Sequence, residues 1–210
     1  NAMPIALVPL ADTIAQGADI GLLGSELSTR RRNRMNGHMR RTGAGFVIDV
    51  RQSFGNCPQY IHERSWRRVP ATASPAAVRS GALSPEQMGR IHAADTLFIG
   101  TGHVATTDHA SNGFDASHRG GAPGFVLVVD ATHLRIPDYA GNNFFNTIGN
   151  LVENPKIGLV FVDFESGGLL HLSGRATIDW DARDSHAANA LRMIDVAIED
   201  VLDRPAALSL

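Results

Sequence analysis

Residues 155–178 read PKIGLVFVDFESGGLLHLSGRATI, and the order of residue types in this stretch decides the fold class. From Ile157 to Phe164 the chain is apolar except at Gly158 and Asp163. Ser166-Gly167-Gly168 supplies a turn, and after it Leu170, Leu172, Ala176 and Ile178 alternate with polar residues. A side-chain period of two on either side of a glycine turn predicts an antiparallel hairpin with one buried face.

Working outward, the preceding stretch NNFFNTIGNLVEN (142–154) places Phe144, Phe145, Ile148, Leu151 and Val152 on one helical face, and Pro155 stops the helix. Upstream, strands are expected near Thr96 to Ala105, over Gly124 to Asp130 and over His133 to Pro137. Downstream, RMIDVAIEDVL (192–202) fits two periods: Ile194, Val196 and Ile198 alternate as in a strand, while Leu191, Ile194, Ile198 and Val201 could line a helix. We read it as a strand, because it completes the six strands of an antiparallel barrel.

The hairpin has a counterpart near the start of the chain. ADIGLLGSELSTRRRNRMNGH (18–38) aligns without gaps with PKIGLVFVDFESGGLLHLSGR (155–175). Ile20, Gly21, Leu22 and Gly37 match Ile157, Gly158, Leu159 and Gly174, and Leu23/Val160, Glu26/Asp163, Leu27/Phe164 and Met35/Leu172 are conservative pairs. The shared order of apolar, acidic and glycine positions suggests a duplicated unit of helix, strand, turn and strand. The first copy starts at a short helix near Leu10, so it has room only for the back half of the unit. The resulting division is a partial repeat over 3–65, a linker over 66–85 and a complete domain over 86–210. Within the linker, VPATASPAAVRSGALSP ends at Ser84, an N-cap with Pro85 at the first helical position and Gln87 completing a capping box, so a helix of about ten residues is expected next.

The bulk properties fit a soluble globular protein: 210 residues, 43% hydrophobic, 19% charged, net charge -2. This balance implies neither nucleic acid nor membrane. No apolar run approaches the length needed to span a bilayer and no signal-peptide order is present, so a cytoplasmic location is expected. Asn1-Ala2 ahead of Met3 reads as a tag-cleavage remnant. A single cysteine, Cys57, excludes an internal disulfide and a cysteine-based zinc cluster.

Chemistry must therefore come from elsewhere. SNGFDASHRGGAPGFVLVV (111–129) runs from a polar, glycine-rich loop carrying Ser117, His118 and Arg119 into an apolar strand. Glycines let a backbone approach a ligand, and arginine matches carboxylate or phosphate, although a plain connecting loop explains the same residues. Asn142 and Asn143 stand at a predicted helix start, where they cap the helix or help bind an anion. A phosphate between that start and Arg119 would join the two elements. The basic run TRRRNRMNGHMRR (29–41) lacks interleaved aromatics and reads as a solvated or acid-paired hairpin. His103, His109 and His118 lack the spacing of a metal motif. With no nucleophile elbow, P-loop or dinucleotide fingerprint present, chemistry would belong to a cofactor carrying a phosphate.

Taken together, FDASHRGGAPGFVLVV (114–129), IPDYAGNNFFNTIGNLVENPKIGLVFVDF (136–164) and LHLSGRATI (170–178) resemble the pyridoxamine 5'-phosphate oxidase-like, FMN-binding split-barrel family. TRRRNRMNG (29–37) and SFGNCPQYI (53–61) resemble a subfamily with tandem copies. The resemblance implies a mainly β fold with flanking helices, a six-stranded antiparallel split β-barrel, a homodimer with FMN at its interface, and a flavin-dependent oxidoreductase with a reductase module or partner as electron source. It places the backbone of Gly124, Phe125, Val126, Leu127 and Val128 beside the flavin ring. Ser117 and Arg119 fall near the phosphate, with Asp138, Tyr139, Asn142, Asn143 and Asn146 completing the pocket. The sequence departs from the true oxidases, which carry Arg where Val126 stands and an Arg-Lys pair where Asn142 and Asn143 stand. Arg119, on the loop, and the helix start would replace these cations. The segment that binds substrate in those oxidases has no counterpart before RPAALSL, so pyridoxamine phosphate oxidation is not expected. The other class of function the sequence allows is a non-catalytic module, an empty barrel or a binder of haem or deazaflavin.

Overall fold

The structure is a computed structural model that describes residues 17–43, 45–55, 60–67, 69–70, 75–103, 112–141, 145–181, 187 and 189–209. Strands β1 (Asp19–Glu26), β2 (Arg31–Thr42) and β3 (Gly45–Gly55) form a three-stranded antiparallel sheet in the order β1-β2-β3. A second sheet takes up the rest: β4 (Val78–Ser80), β5 (Thr96–His103), β6 (Gly113–Gly120), β7 (Leu127–Val128), β8 (His133–Tyr139), β9 (Lys156–Val162), β10 (Leu169–Asp179) and β11 (Ala190–Arg204). Its order is β6-β5-β9-β10-β11-β8-β7, with β4 also paired to β11. Helices α1 (Pro85–Ala93) and α2 (Asn146–Glu153) accompany it.

The central hairpin forms where its alternation places it. Leu170, Leu172 and Ala176 of β10 are buried, as are Ile157, Leu159 and Phe161 of β9, and all six join one apolar core. Residues 192–202 lie within β11, with Ile194, Val196 and Ile198 in the same core. Helix α1 starts at the expected cap: Ser84 Oγ accepts from the Gln87 amide at 3.2 Å, and the Gln87 side chain accepts from the Ser84 amide at 2.9 Å.

Several expectations need correction. The second sheet is eight-stranded, and the described residues form no closed six-stranded barrel. The additional strands are β4, inside the presumed linker, and β6, over residues expected to be a polar loop. Polar β6 becomes a strand because both of its faces are covered: Asp115, Ala116, Ser117 and His118 are all buried. The strand expected over Gly124 to Asp130 shrinks to β7. Gly124 has φ +85°, the Phe125 amide closes a turn onto Ala122, and Phe125 and Val126 enter the core. Helix α2 begins only at Asn146 and buries Thr147, Ile148 and Leu151, while Phe145 and Val152 are exposed. Asn142, Asn143 and Phe144, the helix near Leu10, Cys57 and His109 lie outside the described residues.

The two similar segments share their pairing geometry. In β1–β2, Asp19 faces His38 and Gly21 faces Asn36; in β9–β10, Lys156 faces Arg175 and Gly158 faces Ser173. Each second strand then shifts register against its next neighbour at the aligned step, Asn36/Gly37 against β3 and Ser173/Gly174 against β11. β1 itself is half-buried rather than buried, because it lies in the smaller sheet.

A candidate anion-binding site

Strand alternation on β6 points Asp115, Ser117 and Arg119 to one face. Helix α2 starts over that face, and Ser117 Oγ lies 2.9 Å from Thr147 Oγ1 in a buried contact that seats its first turn. The other end of α2 is tied to β5: Asn150 donates to Thr101 Oγ1 at 3.2 Å and Asn154 to the Gly102 carbonyl at 2.8 Å. The N-cap residue is Phe145, in the left-handed region at φ 54°, and its side chain makes no cap hydrogen bond. The positive end of the helix dipole faces whatever lies ahead of Asn146.

A small pocket lies ahead of it, lined by Arg34, Arg119, Asp138, Phe145, Asn146, Thr147 and Ile148. Four strands supply its charges. β2 contributes Arg34, whose Nη1 donates to Asp115 at 3.1 Å, with both side chains almost wholly buried. β8 contributes Asp138, which accepts two ion pairs: Arg119 Nη2 of β6 at 3.2 Å and Arg192 Nε of β11 at 3.1 Å. Arg192 is held between the rings of Phe145 and Trp180, at 5.1 and 5.6 Å from their centroids.

Among the described residues these three guanidiniums face two carboxylates, and the Nε atoms of Arg34 and Arg119 are buried without a hydrogen-bond acceptor. An unmet buried donor on a charged group is costly. Loss of hydration lowers the pKa of both Arg34 and Arg119, and the nearby carboxylates only partly offset it. An anion in the pocket would supply the missing acceptors and counter-charge.

The opposite face of β6 is different. His118 is buried against the edge of Phe98, its Nε2 has no partner among the described residues, and its pKa is held down at about 2 by lost hydration and by Arg32, Arg119, His62 and Arg64. It is a neutral core histidine. Among the described residues, no three His, Cys, Asp or Glu side chains gather as a metal site, and no helix is long and apolar enough to cross a membrane.

Of the residues singled out in the sequence, Arg119, Asp138 and Asn146 meet at the pocket, and Ser117 stands behind it through Thr147. Arg119 acts from a strand, not from the loop expected. Tyr139 packs at a tilt against Tyr60, with ring centroids 5.2 Å apart, and is not among the lining residues. Gly124, Phe125, Val126, Leu127 and Val128 do not line the pocket either: Gly124 packs near His92 of α1, Phe125 and Val126 are core, and Leu127 and Val128 pair with β8. The sequence reading missed Arg34, Phe145, Thr147 and Arg192. Arg34 was concealed in a basic run, where only the alternation of buried Arg32 and Arg34 with exposed Arg31 and Asn33 would have marked it.

No protein-family model and no curated protein matches the sequence. Solved structures do. A general stress protein 26 relative of the pyridoxinephosphate oxidase family from Clostridium acetobutylicum is 15% identical, with TM-score 0.39 over 57% of this chain and 86% of its own. HupZ from Group A Streptococcus is 16% identical, with TM-score 0.43 over 56% and 90%. An FAD-binding protein from Mesorhizobium loti is 11% identical, with TM-score 0.35 over 62% and 99%. The structural neighbours include a putative pyridoxamine 5'-phosphate oxidase, a pyridoxinephosphate oxidase family member and an FAD-binding protein.

Proposed function

We propose that this chain binds FMN by its phosphate in the pocket between β6, β8 and the start of α2, and serves as a flavin-dependent oxidoreductase for a small molecule. The observation that carries the phosphate site is the pair of buried guanidinium Nε–H groups, on Arg34 and Arg119, that have no acceptor among the described residues, both on residues that line the pocket at the start of α2. Charge-assisted bonds from guanidinium and backbone N–H to a phosphate are among the strongest polar contacts a protein makes.

In this reading the phosphate end of FMN lies against these residues. Arg34, Arg119, Asn146 and Thr147 would hold it, with Arg34 supplying from β2 a charge that Val126, sealed in the core, cannot. The motifs around FDASHRGG and AGNNFFNTIGNL support the flavin itself. The flavin, when bound, would supply hydride and electron transfer; the chain's contribution is to bind and orient it and to keep Arg119 and Arg192 shared on Asp138. A homodimer, a reductase partner and a cytoplasmic location belong to the same proposal.

The test is the visible absorption spectrum of the purified protein, followed by titration with FMN and, separately, FAD. Flavin bands, or saturable FMN binding that inorganic phosphate competes away, support the reading. A colourless protein that ignores both flavins refutes it and favours a module that binds another anionic ligand.

A further inference from the structure

The most deeply buried guanidinium of the pocket belongs to the other sheet. Arg34 is 3% exposed, bonds Asp115 of β6 across 81 residues of sequence, and rests 5.6 Å from the ring of Phe54 on β3. Among the described residues, no backbone ladder joins the N-terminal sheet to the eight-stranded one. Their contact is a close approach of surfaces: a Cβ on Gly21 of β1 would stand 2.7 Å from the Phe114 carbonyl oxygen of β6. Side chains therefore join the two sheets beside the pocket, and Arg34 is the one that reaches it.

We propose that an anion bound in this pocket is held between the two sheets, with Arg34 as one of its ligands, so that ligand binding and docking of the N-terminal sheet are linked. This rests on the phosphate-site reading above and not on the flavin. The anion gains the Arg34 bond only while β2 is docked. By linkage, whatever factor docking contributes to affinity, the anion returns to docking. Asp115 keeps Arg34 paired without the ligand, and its single carboxylate leaves Nε for the anion.

The experiment is hydrogen exchange on the full chain with and without inorganic phosphate, and with and without FMN, alongside affinities for both. Two variants accompany it. The double variant Arg34→Met/Asp115→Asn removes both charges together, so no bare carboxylate is left buried; Arg34→Lys keeps the charge and loses the planar fork. We expect phosphate to slow exchange in Arg31–Thr42 of the native chain. The double variant should bind about tenfold or more weakly, the loss of one charge-assisted bond, and show no such slowing, while exchange in β10 and β11 stays as in the native chain. Arg34→Lys should fall between. Native affinity in the double variant, or β2 exchange that phosphate and FMN leave unchanged, overturns the proposal. If phosphate protects β2 and FMN does not bind, the linkage stands and the flavin reading falls; if neither binds, both fall.

Discussion

Gly37 and Gly174 hold the same post in two different sheets. Each follows the register shift in the second strand of its hairpin, and each lies under a carbonyl of the next strand: a Cβ would stand 2.2 Å from Asp49 O at Gly37 and 2.1 Å from Ala197 O at Gly174. Neither carbonyl can yield without moving a strand. Gly174→Ala should cost about 1–3 kcal/mol, the usual range for overpacking, because β11 runs through the main core. Gly37→Ala should cost less, since β3 is largely exposed and free to shift outward. Urea midpoints for the two variants check the order, and a larger loss at Gly37 would contradict it.

Arg119→Ala should weaken FMN by about 1.5–3 kcal/mol, the worth of a hydrogen bond to a charged group. Asp138 keeps Arg192 as a partner in that variant, so the fold is retained and the loss appears in binding. An unchanged dissociation constant by fluorescence titration removes Arg119 from the site.

His118 makes stability depend on pH in a defined direction. Its pKa is about 2 in the folded chain against 6.5 as the ordinary value. The unfolded chain therefore binds more protons between those values, and stability present above pH 6.5 is lost as the pH falls below it, by about 1 kcal/mol per unit. Urea unfolding at pH 7, 6 and 5 should show a slope in the native chain that His118→Leu reduces; equal slopes would mean that His118 titrates normally.

Ser84→Ala removes one half of the reciprocal cap on α1, leaving the Gln87 amide exposed to water. A loss of about 1 kcal/mol is expected, read as a lower thermal midpoint, with no change in anion binding because α1 does not line the pocket. A change in phosphate affinity would show that α1 is coupled to the site.

The elements legible in the sequence are those whose local chemistry and tertiary role agree. Alternation around Ser166-Gly167-Gly168 gives the β9–β10 hairpin, and Ser84-Pro85-Gln87 gives α1. β6 was not legible, because Asp115, Ser117 and His118 read as surface residues until Arg34 of β2, Thr147 of α2 and Phe98 of β5 cover them. The same tertiary covering separates the site residues that were seen from those that were missed. Arg119 and Asp138 stand in recognisable motifs, whereas Arg34 and Arg192 gain their meaning only from partners far along the chain, Asp115 and Asp138. Gly124 to Val128 read as a strand because the stretch is apolar, and it is apolar because most of it is core.

The pairing of Arg34 with Asp115 also sets an order of events during synthesis. The N-terminal sheet leaves the ribosome first, yet the carboxylate that Arg34 needs is 81 residues behind it, on a strand that pairs in turn with β5. Until β6 is made, Arg34 has no Asp115 to pair with. This sheet can close onto β6 only after β6 is made, and that closure brings Arg34 to the pocket.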